Sequence, residues 1–281
     1  MNVLGRTAVS VAAALLAASG VAQAQPDFEL VARPDVSFQA LNPLRGEASP
    51  KAGVLWGDIR NPAATGTLVQ FRDGFSSPPH IHNITYRAVV ISGEVHNDDP
   101  EAAQLWMGPG SFWTQPAGET HVTSAQGEAT KIFLEILEGP YLVRPKEEAF
   151  DNGERPVNIE ARNVVWLDPS DVSWIDAPRD ALGPQMAFLW GEPGDNGRNG
   201  TFLRLPAGFD GILSSAGDWL KAVVIEGIIT HQRTDSKTRT RLEPGSYFGT
   251  PTDIDHALAC DSSAGCLLYV SAKGKFAFSS R

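Results

Sequence analysis

The chain is poor in cysteine, in clustered basic residues and in long apolar runs. Its 281 residues include only 2 Cys and 3 Met, and 23 Lys or Arg stand against 33 Asp or Glu, giving a formal net charge of −10. Lys and Arg form no cluster longer than two residues, which argues against a DNA- or RNA-binding surface. Beyond residue 24 no stretch is apolar for about 18 residues, so we expect no membrane-spanning helix.

The residues that are abundant favour an all-β chain. Seven Trp and 13 Phe are set among 27 Gly and 20 Pro, a combination typical of short strands joined by many turns. Runs of β-branched and aromatic residues recur at the spacing of a sandwich or barrel, and no useful helical periodicity follows the first residues. We therefore predict an all-β fold.

The N-terminus has the three parts of a secretory signal peptide. Arg6 precedes an apolar stretch over residues 8 to 21, and Ala22-Gln23-Ala24 forms a small-residue cleavage site. We expect residues 1–24 to be removed after Ala24. The mature protein is then periplasmic or secreted, with no membrane attachment.

The sequence repeats itself. Trp56-Gly57-Asp58 recurs as Trp190-Gly191-Glu192, which is 134 residues later, and at the same offset the Ala-Val-Val-Ile run at 88–91 recurs at 222–225. Self-similarity that keeps its register over Gly and Trp positions indicates duplication. We predict two tandem copies of one domain, over residues 27–150 and 160–281, with the polar segment 146–160 between them.

The two cysteines are close in sequence. Cys260 and Cys266 flank a turn-forming stretch, and export would allow them to form a disulfide. A structural zinc site is the poorer interpretation, because two Cys without nearby His do not make a complete ligand set. A disulfide across a hairpin is the prediction.

Three histidines form a pattern typical of a metal site. His80 and His82 are two residues apart in a predicted strand, so alternation places both imidazoles on one face, and His121 follows a strand and a Pro-Gly turn. Neutral imidazole is a common ligand of divalent transition metals, and three of them leave coordination positions open. The alternative is that buried or surface histidines fit the pattern by chance.

These residues resemble the two motifs of the cupins. Gly74-x5-His80-x-His82-x3-Tyr86-x6-Gly93 resembles the first motif, G-x5-H-x-H-x3-4-E-x6-G, except that Tyr86 replaces the glutamate.

The second motif follows in the same copy. Gly110-x5-Pro116-x-Gly118-x2-His121-x3-Ala125 resembles G-x5-P-x-G-x2-H-x3-N except at Ala125. The whole chain is similar to bicupins, including a bacterial family of uncharacterised function. The resemblance implies two tandem jelly-roll β-barrels, one of them holding one divalent transition metal (Fe, Zn, Mn, Ni or Cu) on its three histidines.

Tyr86 is the most informative departure from the motif. It shares sequence parity with His80 and His82, so in a regular strand it points towards the metal. Because a phenol titrates near 10, we predict a hydrogen-bonding partner of the site or a candidate catalytic acid or base rather than a ligand.

The second copy lacks most of these groups. Ser214, Ala216 and Leu220 stand where the first copy has its two paired histidines and its tyrosine, and His256 alone matches His121. We predict that this barrel binds no metal and supports the first one; a vestigial ligand pocket is the alternative.

Two classes of function remain open. One is a metal-dependent enzyme on a small organic substrate, either a dioxygenase-like oxidoreductase, slightly favoured because three-histidine cupins resemble that class, or a lyase or isomerase. The other is a non-catalytic protein that binds or senses a small molecule or a metal. A small-molecule ligand is the expected partner, and a homodimer is compatible with the sequence.

Overall fold

The computed structural model describes residues 28–177, 183–194, 196–215, 217–251 and 254–281. The predicted signal peptide lies outside these residues. Helix within them is confined to short 3-10 turns at Arg33–Asp35, Pro43–Ala48, Lys146–Glu148 and Ala161–Asn163. In the described part of the chain, no helix is long and apolar enough to span a bilayer.

Antiparallel strands build almost all of the fold, and two jelly-roll barrels result. The strands of the first half are β1 (Glu29–Val31), β2 (Gln39–Ala40), β3 (Lys51–Trp56), β4 (Thr65–Gln70), β5 (Phe75–Ser76), β6 (His80–His82), β7 (Tyr86–Asp98), β8 (Phe112–Gln115), β9 (Val122–Ile136), β10 (Val143–Pro145) and β11 (Val157–Ile159). Those of the second half are β12 (Ile175–Asp176), β13 (Gln185–Gly191), β14 (Arg198–Leu205), β15 (Asp210–Ser215), β16 (Trp219–Glu226), β17 (Ile229–Arg233), β18 (Arg239–Leu242), β19 (Tyr247–Thr250), β20 (His256–Cys260), β21 (Cys266–Lys273) and β22 (Phe276–Ser280). The predicted all-β, two-barrel fold is confirmed.

The sheets show which strands belong to which barrel. The first barrel has a sheet in the order β11-β8-β7-β9-β4-β3-β2, with β5 on β9, and a small β10-β6 pair. The second barrel has sheets β1-β19-β16-β21-β14-β13 and β12-β22-β15-β20-β17-β18. Strand β1 thus joins the second barrel although it precedes the first in sequence, and the polar segment between the copies contributes β11 to the first barrel. Both attachments arise from backbone pairing at sheet edges, which the side-chain pattern does not encode.

Alternation along β7 separates two apolar environments. Tyr86, Ala88 and Val90 point into the first barrel, whereas Val89 and Ile91 belong to a core shared with the second barrel. A strand buried on both faces reads as a continuous apolar run, as the repeated Ala-Val-Val-Ile sequence does. The Ala-Val-Val-Ile sequence is therefore apolar in both copies because it lies at the junction of the two barrels.

Equivalent cationic side chains of the two copies reach across this junction. The Arg87 guanidinium lies 4.1 Å from the centroid of the Trp190 ring, and the Lys221 ammonium lies 4.6 Å from that of Trp56. Each cation therefore stacks on the tryptophan of the other copy, since both pairs are related by the repeat offset. These pseudo-symmetric, partly buried contacts join the two barrels.

A disulfide closes the connection between β20 and β21, which lie in different sheets of the second barrel and so do not form the predicted hairpin. Cys260 and Cys266 are bonded, with their Cα atoms 5.8 Å apart. Both side chains are buried in the core of the second barrel. The bond therefore ties the end of β20 to the start of β21 at one end of that barrel.

Candidate metal centre

Backbone pairing brings the three histidines together. The short strand β6 carries His80 and His82, and His121 bridges to it, with the His80 N–H donating to the His121 carbonyl (3.1 Å) and the reverse bond at 3.0 Å. Their ligand nitrogens all lie within 4.8 Å of one another. His82 and His121 are buried, whereas His80 is half-buried at the wall of a cavity. Among the described residues this is the one cluster of three or more metal-ligating side chains.

A hydrogen bond to a backbone carbonyl fixes the tautomer of each of the three imidazoles. Each Nδ1 lies within hydrogen-bonding distance of a backbone carbonyl, which can only accept, so each Nδ1 carries the proton and each Nε2 presents a lone pair. The carbonyls belong to Pro78 for His80 (2.9 Å), Leu142 for His82 (3.1 Å) and Glu119 for His121 (3.2 Å).

The three Nε2 lone pairs lie close together, and none of these Nε2 atoms carries a proton of its own. The Nε2 atoms of His80 and His82 are 3.2 Å apart, and the buried Nε2 of His121 has no partner among the described residues. Protonation does not resolve this, because burial and the other two imidazoles lower the pKa of His82 well below 6.5, and burial with His80 nearby lowers that of His121 to about 3. Burial lowers the pKa of His80 as well, and three neutral nitrogen donors of this kind fit a divalent cation.

Tyr86 lies where parity predicts, but its hydroxyl faces elsewhere. Its ring meets His82 edge-on, with centroids 5.2 Å apart, while the hydroxyl donates to Asn97 Oδ1 at 2.9 Å. Burial raises the pKa of Tyr86 to about 12. Tyr86 thus contacts His82 through its ring while Asn97 holds its hydroxyl. Its catalytic role stays a prediction.

A buried chain of amides connects Tyr86 to His121. Asn97 Nδ2 donates to Gln115 Oε1 at 2.8 Å, and Gln115 Nε2 donates to the Glu119 carbonyl at 3.1 Å. That carbonyl also accepts from His121 Nδ1. The amides therefore fix the carbonyl that orients a metal-binding imidazole, a role the sequence did not assign to them.

Tyr141 is a site residue that no motif position indicated. Its hydroxyl lies 3.0 Å from His82 Nε2, and its ring stacks on the His82 ring with centroids 4.2 Å apart and planes inclined by 23°. Burial raises the pKa of this phenol well above 10, so it donates to the bare Nε2. The only sequence signal was a tyrosine in the loop after a long strand.

A cavity of about 810 Å³ opens onto the histidines. His80, His82 and Tyr141 form one wall, and the rest is largely apolar, with Phe71 and Phe75 among its members. Arg45 also lines the cavity, and its charge contributes to lowering the pKa of His80, after the larger effect of burial. A volume of this size is within the range of small-molecule sites in proteins.

The second barrel has a histidine pair instead of a triad. His256 Nδ1 lies 2.9 Å from His231 Nε2, and Phe28, just before β1, stacks on the His231 ring at 5.7 Å. Ser214 and Leu220 contribute no imidazole, and position 216 lies outside the described residues. The segment that carries β1 thus packs against this histidine pair, and the described residues place no third ligand there.

Two antiparallel jelly-roll barrels, one with a three-histidine cluster inside it, define a cupin-type protein of the two-barrel class, and the residues at its site are those of a metal-binding cupin. Within that class, the chain belongs to the family described as a domain of unknown function, DUF4437, whose model matches residues 29–279.

Solved structures share the fold at low identity. A "putative dioxygenase" from Nostoc punctiforme has 15% identity and a TM-score of 0.65, covering 89% of this chain and 84% of that one. Protein YlbA of Escherichia coli has 15% identity and a TM-score of 0.59, with 90% and 94% covered. An oxalate decarboxylase variant from Bacillus subtilis has 13% identity and a TM-score of 0.52, with 90% and 79% covered. No curated protein sequence matches the chain.

Proposed function

We propose that the first barrel binds one divalent transition metal through His80, His82 and His121, and that the protein is an exported metal-dependent enzyme acting on a small organic substrate. The observation that carries this proposal is the set of three Nε2 lone pairs converging inside the barrel, each with its Nδ1 proton donated to a carbonyl. Bound iron or copper would supply oxygen chemistry, and bound zinc, manganese or nickel would supply Lewis-acid chemistry.

The cavity supports a substrate with an apolar body and an acidic group. Phe71 and Phe75 offer apolar surface, while Arg45 has no ion pair among the described residues and is free to attract a carboxylate or an enolate. Neutral imidazole ligands would leave the full charge of the metal to act on the same anion. Dioxygenase-like chemistry is slightly favoured on the analogy with three-histidine cupins and with the similar fold described as a "putative dioxygenase".

Export is the second part of the proposal. Residues 1–24 read as a signal peptide, and the disulfide between Cys260 and Cys266 supports an oxidising compartment. Sequencing the N-terminus of protein recovered from the periplasm or the medium tests this, and we expect it to begin at Gln25. An uncleaved chain retained inside the cell would contradict it.

Elemental analysis tests the metal proposal. Mature protein purified without chelators or a histidine tag is expected to carry about one equivalent of a transition metal. His80→Ala/His82→Ala removes two donors and should lose it, whereas the control His256→Ala, in the second barrel, should retain it. Protein that neither carries metal nor takes up added Fe(II), Zn or Mn would refute the proposal.

A non-catalytic binding protein is the second candidate. It is favoured by one observation: the hydroxyl of Tyr86, the predicted acid or base, is hydrogen-bonded to Asn97 instead of facing the histidines. Oxygen uptake by metal-loaded protein over a panel of small carboxylates and enols separates the two candidates. Ligands that bind without turnover would favour the binding protein.

A further inference from the structure

The Tyr141 hydroxyl has a contact that metal binding would remove. Among the described residues its one hydrogen bond goes to His82 Nε2, at 3.0 Å. A metal ion would occupy that lone pair, so the phenol would lose its acceptor. A desolvated hydroxyl without a partner is unfavourable, so it needs a new acceptor.

The protein holds Tyr141 in place, so the hydroxyl cannot simply turn away. The Tyr141 N–H donates to the Ile59 carbonyl at 2.9 Å. Asn83, next to His82, bonds both sides of the tyrosine: its Nδ2 donates to the Pro140 carbonyl (2.9 Å) and its Oδ1 accepts from the Leu142 N–H (2.8 Å). Strand β10 then pairs with β6, the strand that carries the histidines.

The stacking geometry determines what the hydroxyl can reach. The Tyr141 ring lies over the face of His82, and its hydroxyl oxygen is 3.0 Å from Nε2, the atom that would hold the metal. The hydroxyl is therefore next to the proposed metal site. Tyr141 also lines the cavity, so a molecule entering towards the histidines meets this hydroxyl.

We propose that Tyr141 donates a hydrogen bond to the anionic ligand or substrate oxygen that occupies an open position of the metal centre. In this proposal Tyr141 takes the role that sequence parity gave to Tyr86, whose hydroxyl donates to Asn97. The ligand class is a small anion, either a carboxylate or an enolate. This inference rests on the proposed metal site.

Azide binding to the cobalt-loaded protein tests the assignment. Visible absorption of Co(II) reports both metal uptake and anion binding, so no substrate is needed. Tyr141→Phe is expected to raise the azide dissociation constant about tenfold, because a hydrogen bond to a charged acceptor is lost, while cobalt affinity stays within about twofold. The control Tyr247→Phe removes a phenol hydroxyl at the barrel junction and should leave azide binding unchanged.

The outcomes distinguish this inference from the metal proposal. Wild-type protein that takes up no cobalt would overturn both. Cobalt uptake with unchanged azide affinity in Tyr141→Phe would overturn the tyrosine assignment alone, and so would a larger loss in Tyr86→Phe than in Tyr141→Phe. Equal circular dichroism spectra of all variants would show that folding does not cause the difference.

Discussion

The buried histidine pair of the second barrel predicts loss of stability in acid. His231 and His256 are 2% and 0% exposed. Burial, with Arg233 nearby, lowers the pKa of His231 to about 4, and burial, with His231 and Arg233 nearby, lowers that of His256 to about 3. The unfolded chain protonates both at about 6.5. Below that pH the unfolded state therefore binds more protons than the folded state, and the stability falls as the pH falls towards the folded pKa values.

The size of the effect follows from these values. At about pH 4.5 each histidine is about 2 units below its unfolded pKa and still neutral in the folded barrel, which corresponds to about 2.7 kcal/mol per histidine. The two histidines together therefore lower the free energy of unfolding by about 5 kcal/mol between about pH 7.5 and about pH 4.5. A loss of that size is comparable to the whole stability of many domains.

The assay is urea unfolding of metal-free protein at both pH values, followed by tryptophan fluorescence. His256→Gln removes one titrating group, so its loss of stability between the two pH values should be smaller than that of the wild type by about 2.7 kcal/mol. Leu258→Val, a control in the same strand and core, should lower stability by about 1 kcal/mol at both pH values without changing the difference. If His256→Gln and the wild type lose equal stability on acidification, the folded barrel does not hold His256 neutral.

Three further predictions concern the site and the disulfide. Gln115→Leu frees the Glu119 carbonyl that orients His121, so metal affinity measured by chelator competition should fall about tenfold, and an unchanged affinity would mean that the amide chain does not position the imidazole. Arg45→Gln should weaken benzoate binding to metal-loaded protein about tenfold by calorimetry, whereas Lys51→Gln, at an exposed ion pair, should not; equal affinities would remove Arg45 from ligand recognition. Cys260→Ser/Cys266→Ser opens a loop whose ends are 6 residues apart and should lower the free energy of unfolding by about 2 kcal/mol, measured in urea, and a zero effect would show that the loop is closed equally well without the bond.

The sequence predicted the fold class and the histidine cluster because both depend on local pattern. The spacing of His80 and His82 within one strand places both on one face, whichever barrel surrounds them. The extent of β7 (Tyr86–Asp98) is less evident from the sequence, because Gly93 interrupts its apolar run. Its register shifts beside Gly93, whose φ of 74° allows an irregularity that a pattern of apolar residues reads as a break.

The direction of each phenol hydroxyl could not be predicted from the sequence. Parity correctly put Tyr86 inside the first barrel, but its partner Asn97 is reached only after β7 has turned past its irregularity. Tyr141 reaches His82 because Asn83 holds a loop from 59 residues further along the chain. Contacts between distant segments depend on tertiary packing, and neither spacing nor residue type encodes them.

The second barrel, which lacks the three-histidine cluster, is connected to the first barrel through the N-terminal segment. It takes β1 from the N-terminal segment, and that segment continues into the 3-10 turn at Pro43–Ala48, where Arg45 reaches the cavity of the first barrel. Phe28 at the start of the same segment covers the histidine pair. One stretch of chain therefore fills the second barrel at one end and lines the cavity of the first at the other. Between these ends, β2 pairs with β3 of the first barrel, so this segment connects the two barrels and has one end on each.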